Sequence, residues 1–412
     1  MRRAAILLVC ACAALAVLAA GAQASPSCDR MRSLLGHGAS SSGLLVVDTA
    51  DGRVLCSRAA NRPRSLASNT KLFTTAAALS RLGPQARIPT KLFAAGRVDE
   101  SGTLHGSLYL KGGGDPTLGT PPFIEGYLGG LGTNLYLLKR QLRAAGIERV
   151  TGRLYADDTV FDRRRGVLDS GYATSSYIGP LSGLAFNAGF RGNTSLRGFA
   201  PDPAKLAAAK LARSLRRAGV GVPRRVGLKK TPRGADRVGL VRSPPLTKLV
   251  DLTNVYSNNF FAETLAKLLG ARFGKAGTTR EGTRVIRRFA RFNGSGAGTV
   301  DGSGLTRGNR ATPRQVVDLL LAMRDDPAGE EFVQDLPLTG VEGTVEDRTE
   351  GSPAYRRCRV KTGTISGVSA LSGYCFNRSG RTIAFSILMN GVYDVYRARL
   401  SQDRIAAKIA SY

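Results

Sequence analysis

Ala67-Ser68-Asn69-Thr70-Lys71 leads into a stretch, Lys71 to Leu82, in which Leu72, Phe73, Ala76 and Leu79 recur at spacings of three and four. That is the period of a helix laid against a core. Ser68 therefore stands at the helix N-terminus, and Lys71, three residues on, shares its face. A serine hydroxyl is a weak nucleophile until a base takes its proton. Histidine, the usual base, occurs only twice, as His37 and His105. His105 falls in Thr103-Leu104-His105-Gly106, which reads as a turn far from the Ser68 segment, so a Ser-His-Asp arrangement has little support. Lys71 is the remaining base. It must be neutral to accept a proton, and burial or a neighbouring cation lowers a lysine pKa.

Two further motifs follow in order: Ser257-Asn258-Asn259 and Lys361-Thr362-Gly363-Thr364. Ser257 is placed to relay a proton and Lys361 to supply the second cation. The Lys361–Thr364 segment reads as the end of a strand. Gly363 lets another chain approach the backbone closely, so a substrate can lie along it with a carboxylate near Lys361, Thr362 and Thr364. The backbone N–H groups of Ser68 and Thr364 are candidates to hold a developing oxyanion.

Lys71 and Ser257 lie 186 positions apart, room for a further domain. Short strand-like runs (Lys91–Ala95, Leu108–Lys111, Gly152–Ala156) alternate with glycine-rich turns in this interval, interrupted by one helical pattern, Pro203–Ala218. The expected organisation is a host domain over 25–89 and 243–412, with a β-rich unit over 90–242 inserted in it. Within the host, Gly43–Asp48 and Arg53–Ser57 form a hairpin. Thr247–Val250, Asn258–Phe273, Pro313–Arg324 and Tyr393–Ala410 read as helices, and Cys358–Lys361, Ser369–Phe376 and Arg381–Met389 as strands. Segregated helices and antiparallel strands make the fold class α+β.

Arg2 and Arg3, an apolar run from Ala4 to Ala20, and Ala22-Gln23-Ala24 form the pattern of a cleaved signal peptide over residues 1–24. No later stretch is apolar for long enough to cross a membrane. An exported location follows, in the periplasm, the cell-wall space or outside the cell. Cys10 and Cys12 fall inside the signal. Cys28, Cys56, Cys358 and Cys375 remain, an even number that suits disulfides. In a hairpin around the Gly363–Gly367 turn, Cys358 and Cys375 face each other. Their pairing would leave Cys28 for Cys56, with four reduced buried thiols as the alternative. The formal net charge is +30, a field that attracts polyanions. Export favours anionic cell-wall polymers over nucleic acid. The densest basic stretch, Arg213 to Arg237, has no interleaved aromatics on which bases could stack. No metal site is expected. Histidine is scarce, and Asp157, Asp158 and Asp162 are not followed by carboxylates at calcium-ligand spacing. Gly274-Lys275-Ala276 lacks the glycine spacing of a phosphate loop, and no cofactor is expected.

In this order and spacing the three motifs resemble those of the low-molecular-mass class C penicillin-binding proteins, the D-alanyl-D-alanine carboxypeptidases/endopeptidases of peptidase family S13. The resemblance extends to Tyr256-Ser257-Asn258-Asn259 with Ala262-Glu263, and to Lys111-Gly112-Gly113-Gly114-Asp115-Pro116-Thr117-Leu118. It also takes in Ser243-Pro244-Pro245-Leu246 and Asp301-Gly302-Ser303-Gly304-Leu305-Thr306-Arg307. It implies a β-lactamase/transpeptidase-like domain in which Ser68 is acylated by peptidoglycan stem peptides or by β-lactams. Lys71 would be the base, Ser257 and Asn259 would assist, and Lys361, Thr362, Gly363 and Thr364 would bind the substrate carboxylate. It further implies that Asp157 and Phe161 of the insert form a pocket for the stem-peptide side chain. The 186-residue gap is shorter than in family members with two inserted domains, so the second is expected to be reduced or absent. A β-lactamase, or a non-catalytic wall-binding protein on the same fold, remains the alternative.

Overall fold

A computed structural model describes residues 26–412. The expected signal peptide, with Cys10 and Cys12, lies outside them. The central sheet has five antiparallel strands in the order Cys358–Ile365, Val368–Phe376, Thr382–Val392, Ala39–Asp48, Val54–Arg58. Successive side chains of a strand point to opposite faces, and here both faces are covered. Leu44, Val46, Leu371, Phe385 and Ile387 pack with Met31, Ile405 and Ile409 of the helices Pro26–Leu34 and Val395–Ala410. Leu45, Val47, Ala370, Ala384 and Leu388 pack on the other side with helical residues such as Phe73, Leu249, Leu265 and Val316. This two-sided burial explains why Leu44 to Val47 is an unbroken apolar run rather than an alternating one. The architecture is α+β.

Cys358 and Cys375 are direct cross-strand partners and form a disulfide. A second disulfide, Cys28–Cys56, ties the N-terminal helix to the edge strand Val54–Arg58.

The nucleophile segment is a short 3₁₀ turn, Ala67–Asn69, running into the helix Thr70–Leu82, which is buried from Thr70 to Leu79. The helix Asn259–Phe273 beside it is buried from Phe260 to Gly270. Helices buried all round carry few charges unless those charges have partners. These two nevertheless bury Lys71, Glu263 and Lys267.

Residues 89–242 build a second sheet in the order Val226–Leu228, Leu154–Asp157, Thr103–Lys111, Pro89–Val98, Asp236–Arg242. The chain enters and leaves side by side, because Arg242 pairs with Pro89. Asp202 caps the helix Pro203–Arg217, and a proline fills its first turn, a strong start signal. Its apolar face, Ala204 to Leu215, covers this sheet. The inserted stretch also reaches into its host. Phe123, Ile124, Phe161, Ile178, Leu181 and Phe190 belong to the same core as the helices 70–82 and 259–273, and Lys267 Nζ donates to Asp162 Oδ1 at 2.5 Å. His105 lies within the strand Thr103–Lys111, not in a turn: it pairs with Arg97, and the ladder continues through Leu104 and Val98.

Both disulfides staple the periphery of one core face. Replacing Cys358 and Cys375 by serine should lower stability by about 2–3 kcal/mol, seen as a lower urea midpoint.

Candidate active site

The local geometry around Ser68 is strained. Ala67, before it, has φ 46°, and Ser257 has φ 54°. Neither is glycine, and such conformations persist only where the surroundings enforce them. Close approach does the enforcing. Gly363, in the strand Cys358–Ile365, lies flush against the turn: a Cβ there would stand 2.8 Å from Leu66 O and 3.1 Å from the backbone nitrogens of Ser68 and Asn69. Gly304 has φ 90°, and a Cβ on it would run into the carbonyl oxygen of Ala67. Asn69 Nδ2 donates to Lys361 O at 2.8 Å, fixing the turn to the strand.

Lys71 Nζ has three neighbours: Ser68 Oγ at 3.0 Å, Asn259 Oδ1 at 2.7 Å and Ser303 O at 2.7 Å. The lysine is fully buried, and burial lowers its pKa to about 7, against the opposing pull of Asp301 and Glu263. Lys361 is also fully buried. Burial pushes its pKa well below the usual lysine value, and the Lys71 charge adds to that. Burial and a second cation are both expected to lower the Lys71 pKa; in the structure burial leads at Lys71, and the repulsion between the two lysines is felt at Lys361.

Two residues without an assigned role in the sequence build the support. Asp301 accepts from the backbone N–H groups of Ser303, Gly304 and Thr306 and from Asn309 Nδ2. Glu263 Oε1 accepts from Gly302 N and Ser303 N. Together they aim the Ser303 carbonyl at Lys71. Glu263 itself is pushed up to about 8 by burial and by the Asp301 charge. Its protonated form leaves less negative charge to hold Lys71 as an ammonium.

Ser68 and Ser257 share a cavity of about 210 Å³ with Thr362 and Thr364, walled by Thr344, Arg348, Ser369, Arg399 and Gln402. The Thr362 and Thr344 hydroxyls are 2.8 Å apart. Beyond Ser257 opens a larger groove of about 850 Å³, with Tyr127, Tyr177, Phe190, Phe199 and Tyr256 on its walls and Asn258 and Asn259 at its edge. The insert reaches this junction directly, where Asn259 Nδ2 donates to Tyr177 O at 3.1 Å. Lys361 lines neither cavity, as its Nζ turns back to Thr362 O at 3.1 Å.

Asp157 and Phe161 are not brought to this cluster. Both oxygens of Asp157 are taken, Oδ1 by Thr159 and Oδ2 by Thr231. Phe161 is buried with its ring against Gly114 and Gly277. These contacts make Asp157 a turn anchor and Phe161 a core residue, and neither lines the groove. His105 pairs with Asp99 in the second sheet. Among the described residues no group of three or more His, Cys, Asp or Glu has metal-binding geometry.

The model of the D-Ala-D-Ala carboxypeptidase 3 (S13) family matches residues 35–197 and 191–411. The chain belongs to that family. Among its relatives, a D-alanyl-D-alanine carboxypeptidase of an Actinomadura species is 32% identical over 90% of this chain and 81% of its own length. Penicillin binding protein 4 of Haemophilus influenzae shares the fold, with TM-score 0.77 at 22% identity over 93% of this chain and 99% of its own. A peptidoglycan endopeptidase of Bdellovibrio bacteriovorus does so more distantly, with TM-score 0.56 at 19% identity over 89% and 90%. The S13 chain therefore has the penicillin-binding-protein fold expected from its motifs, and it is an enzyme of the peptidase class.

If Lys71 is the base, it works in its neutral form, so kcat/KM should rise with pH and level off above about 7. Asn259→Asp would set a carboxylate 2.7 Å from Nζ and favour the ammonium. The ascending limb of its pH–rate profile should move to higher pH by about a unit or more.

Proposed function

We propose that the protein is a serine-type D-Ala-D-Ala carboxypeptidase and endopeptidase acting on peptidoglycan stem peptides through an acyl-enzyme on Ser68. The observation that carries this is the buried Lys71 ammonium site 3.0 Å from Ser68 Oγ, in a chain whose described histidines lie elsewhere. Neutral Lys71 takes the Ser68 proton as Oγ attacks the carbonyl of the penultimate D-alanine. The backbone N–H groups of Ser68 and Thr364 receive the oxyanion. Ser257, in the same cavity, passes the proton to the leaving amine, and the carbonyl–nitrogen bond breaks. Water then attacks the ester, with Lys71 again as base, and frees Ser68 and the shortened peptide. Asn259 orients Lys71 and faces the groove where a substrate amide would lie. β-Lactams acylate the same serine and act as inhibitors.

Residues 25–89 and 243–412 are the catalytic domain in this reading, with 90–242 as an inserted domain that supplies one wall of the groove. The disulfides suit an exported protein.

Benzylpenicillin should add its full mass to Ser68, and Ser68→Ala should abolish both the adduct and D-alanine release. Incubation with purified wall then separates free D-alanine, the carboxypeptidase product, from uncrosslinked monomers, the endopeptidase product. Fast catalytic turnover of nitrocefin, instead of a stoichiometric burst, would favour a β-lactamase.

Anionic wall polymers are the second partner we propose. A cavity of about 430 Å³ in the insert is lined by Tyr136, Lys139, Lys210, Arg213, Ser214 and Arg217. Lys210, Arg213 and Arg217 form one stripe of the helix Pro203–Arg217, and no carboxylate lies within 4 Å of these four cations among the described residues. Binding to walls stripped of their phosphodiester-linked polymers by acid should be at least ~10-fold weaker than to intact walls. Reversing Lys210, Arg213 and Arg217 to glutamate should weaken binding to intact walls alone. Equal binding to both walls would count against this partner.

A further inference from the structure

The small cavity at Ser68 contains a cationic side chain that nothing in the fold neutralises. Lys361 is the charge expected to hold the substrate carboxylate, yet it is fully buried and lines no part of that cavity. Its Nζ is spent on Thr362 O. Arg348 lines the cavity but is already paired: Nε and Nη2 reach Asp403 Oδ1 at 2.9 and 2.7 Å, and Nη2 also donates to Gln402 Oε1 at 3.2 Å. Arg399, on the helix Val395–Ala410, differs from both. It is exposed, it has no carboxylate within 4 Å among the described residues, and its Nη2 stands 3.5 Å from Thr364 Oγ1. Its backbone is held from below, because Arg348 Nη2 donates to Arg399 O.

We propose that Arg399 is the specificity residue that receives the terminal α-carboxylate of the substrate, with the hydroxyls of Thr362 and Thr364 beside it. The proposal rests on the acyl-transfer reading of Ser68 and narrows its substrate class. The enzyme selects peptides whose leaving residue carries a free α-carboxylate. The distances suit this. The leaving residue is one residue beyond the acyl-forming carbonyl, about 3.8 Å of chain, so nucleophile and anion anchor must share one small cavity. Ser68 and Arg399 do. A guanidinium also offers two parallel N–H donors to a carboxylate, a match that a lysine ammonium lacks. Arg348 and Gln402 then act as positioning residues: Asp403 fixes Arg348, and Arg348 fixes the helix turn that carries Arg399.

The test compares kcat/KM for a peptide ending in D-Ala-D-Ala with that for its C-terminal carboxamide. The wild-type enzyme should prefer the acid. Arg399→Gln should lose roughly 10- to 100-fold on the acid, the size of a lost charge-assisted hydrogen bond, and little on the amide, so that the ratio falls towards one. Arg399→Lys should restore part of it. Arg397→Gln, on the same helix but paired with Asp394, serves as the control and should leave the ratio unchanged. Benzylpenicillin carries the equivalent carboxylate and should acylate Arg399→Gln more slowly by a similar factor. An acid-to-amide ratio unchanged in Arg399→Gln, with Ser68 still acylated, overturns the anchor and leaves the acyl-enzyme reading intact. A wild-type enzyme that forms no Ser68 adduct overturns both.

Discussion

The chemistry of this molecule depends on taking one ammonium group out of water. Lys71 sits inside a helix buried on all sides, and desolvation makes its charged form expensive. The fold then balances that cost. Ser303 O and Asn259 Oδ1 accept from Nζ, while Asp301 and Glu263 pull the pKa back up. Two fully ionised carboxylates at that depth would lock the lysine as a cation. Glu263 is itself raised to about 8 by burial and by the Asp301 charge, and at Lys71 burial outweighs the pull of both carboxylates.

That balance requires a tightly packed frame. Three backbone segments meet at Ser68: the 3₁₀ turn itself, the strand through Gly363 and the loop through Gly304. Each glycine occupies a position where any side chain would strike the turn. The flanking signatures serve this frame. Asp115 ties its own loop by accepting from Thr117 and Thr133. Ser243 Oγ accepts from Ile88 N and donates to Pro244 O, where the insert leaves and rejoins its host. Asp301 shapes the loop that presents Ser303. These polar residues are buried and spend their hydrogen bonds within the protein.

The helices 203–217 and 313–325 were legible because local chemistry sets their ends: Asp202 and Thr312 cap, and prolines fill the first turns; the helix 70–82, with no side-chain cap, was legible from its apolar spacing alone. The 358–376 hairpin was legible from its turn, and its register put Cys358 opposite Cys375. The helix Thr279–Phe292 escaped the sequence reading. Its buried apolar side chains, Val285, Ile286, Phe289 and Ala290, span only six positions among arginines. The bonding of Asp157 was hidden for a related reason. Its partner Thr231 lies 74 positions away, so nothing local reveals that its carboxylate is already satisfied.

The sequence by itself singled out the candidate set, Ser68, Lys71, Ser257, Asn259 and the Lys361–Thr364 strand, because spacing on a helix and motif order are local properties. Only the tertiary structure decided the state of those groups. Burial depth, the carbonyl of Ser303 against Lys71, the withdrawal of Lys361 from the cavity and the arrival of Arg399 all depend on elements hundreds of residues apart. Among the chain's 60 lysines and arginines, only three-dimensional packing brings Arg399 to the wall of the cavity that holds Ser68.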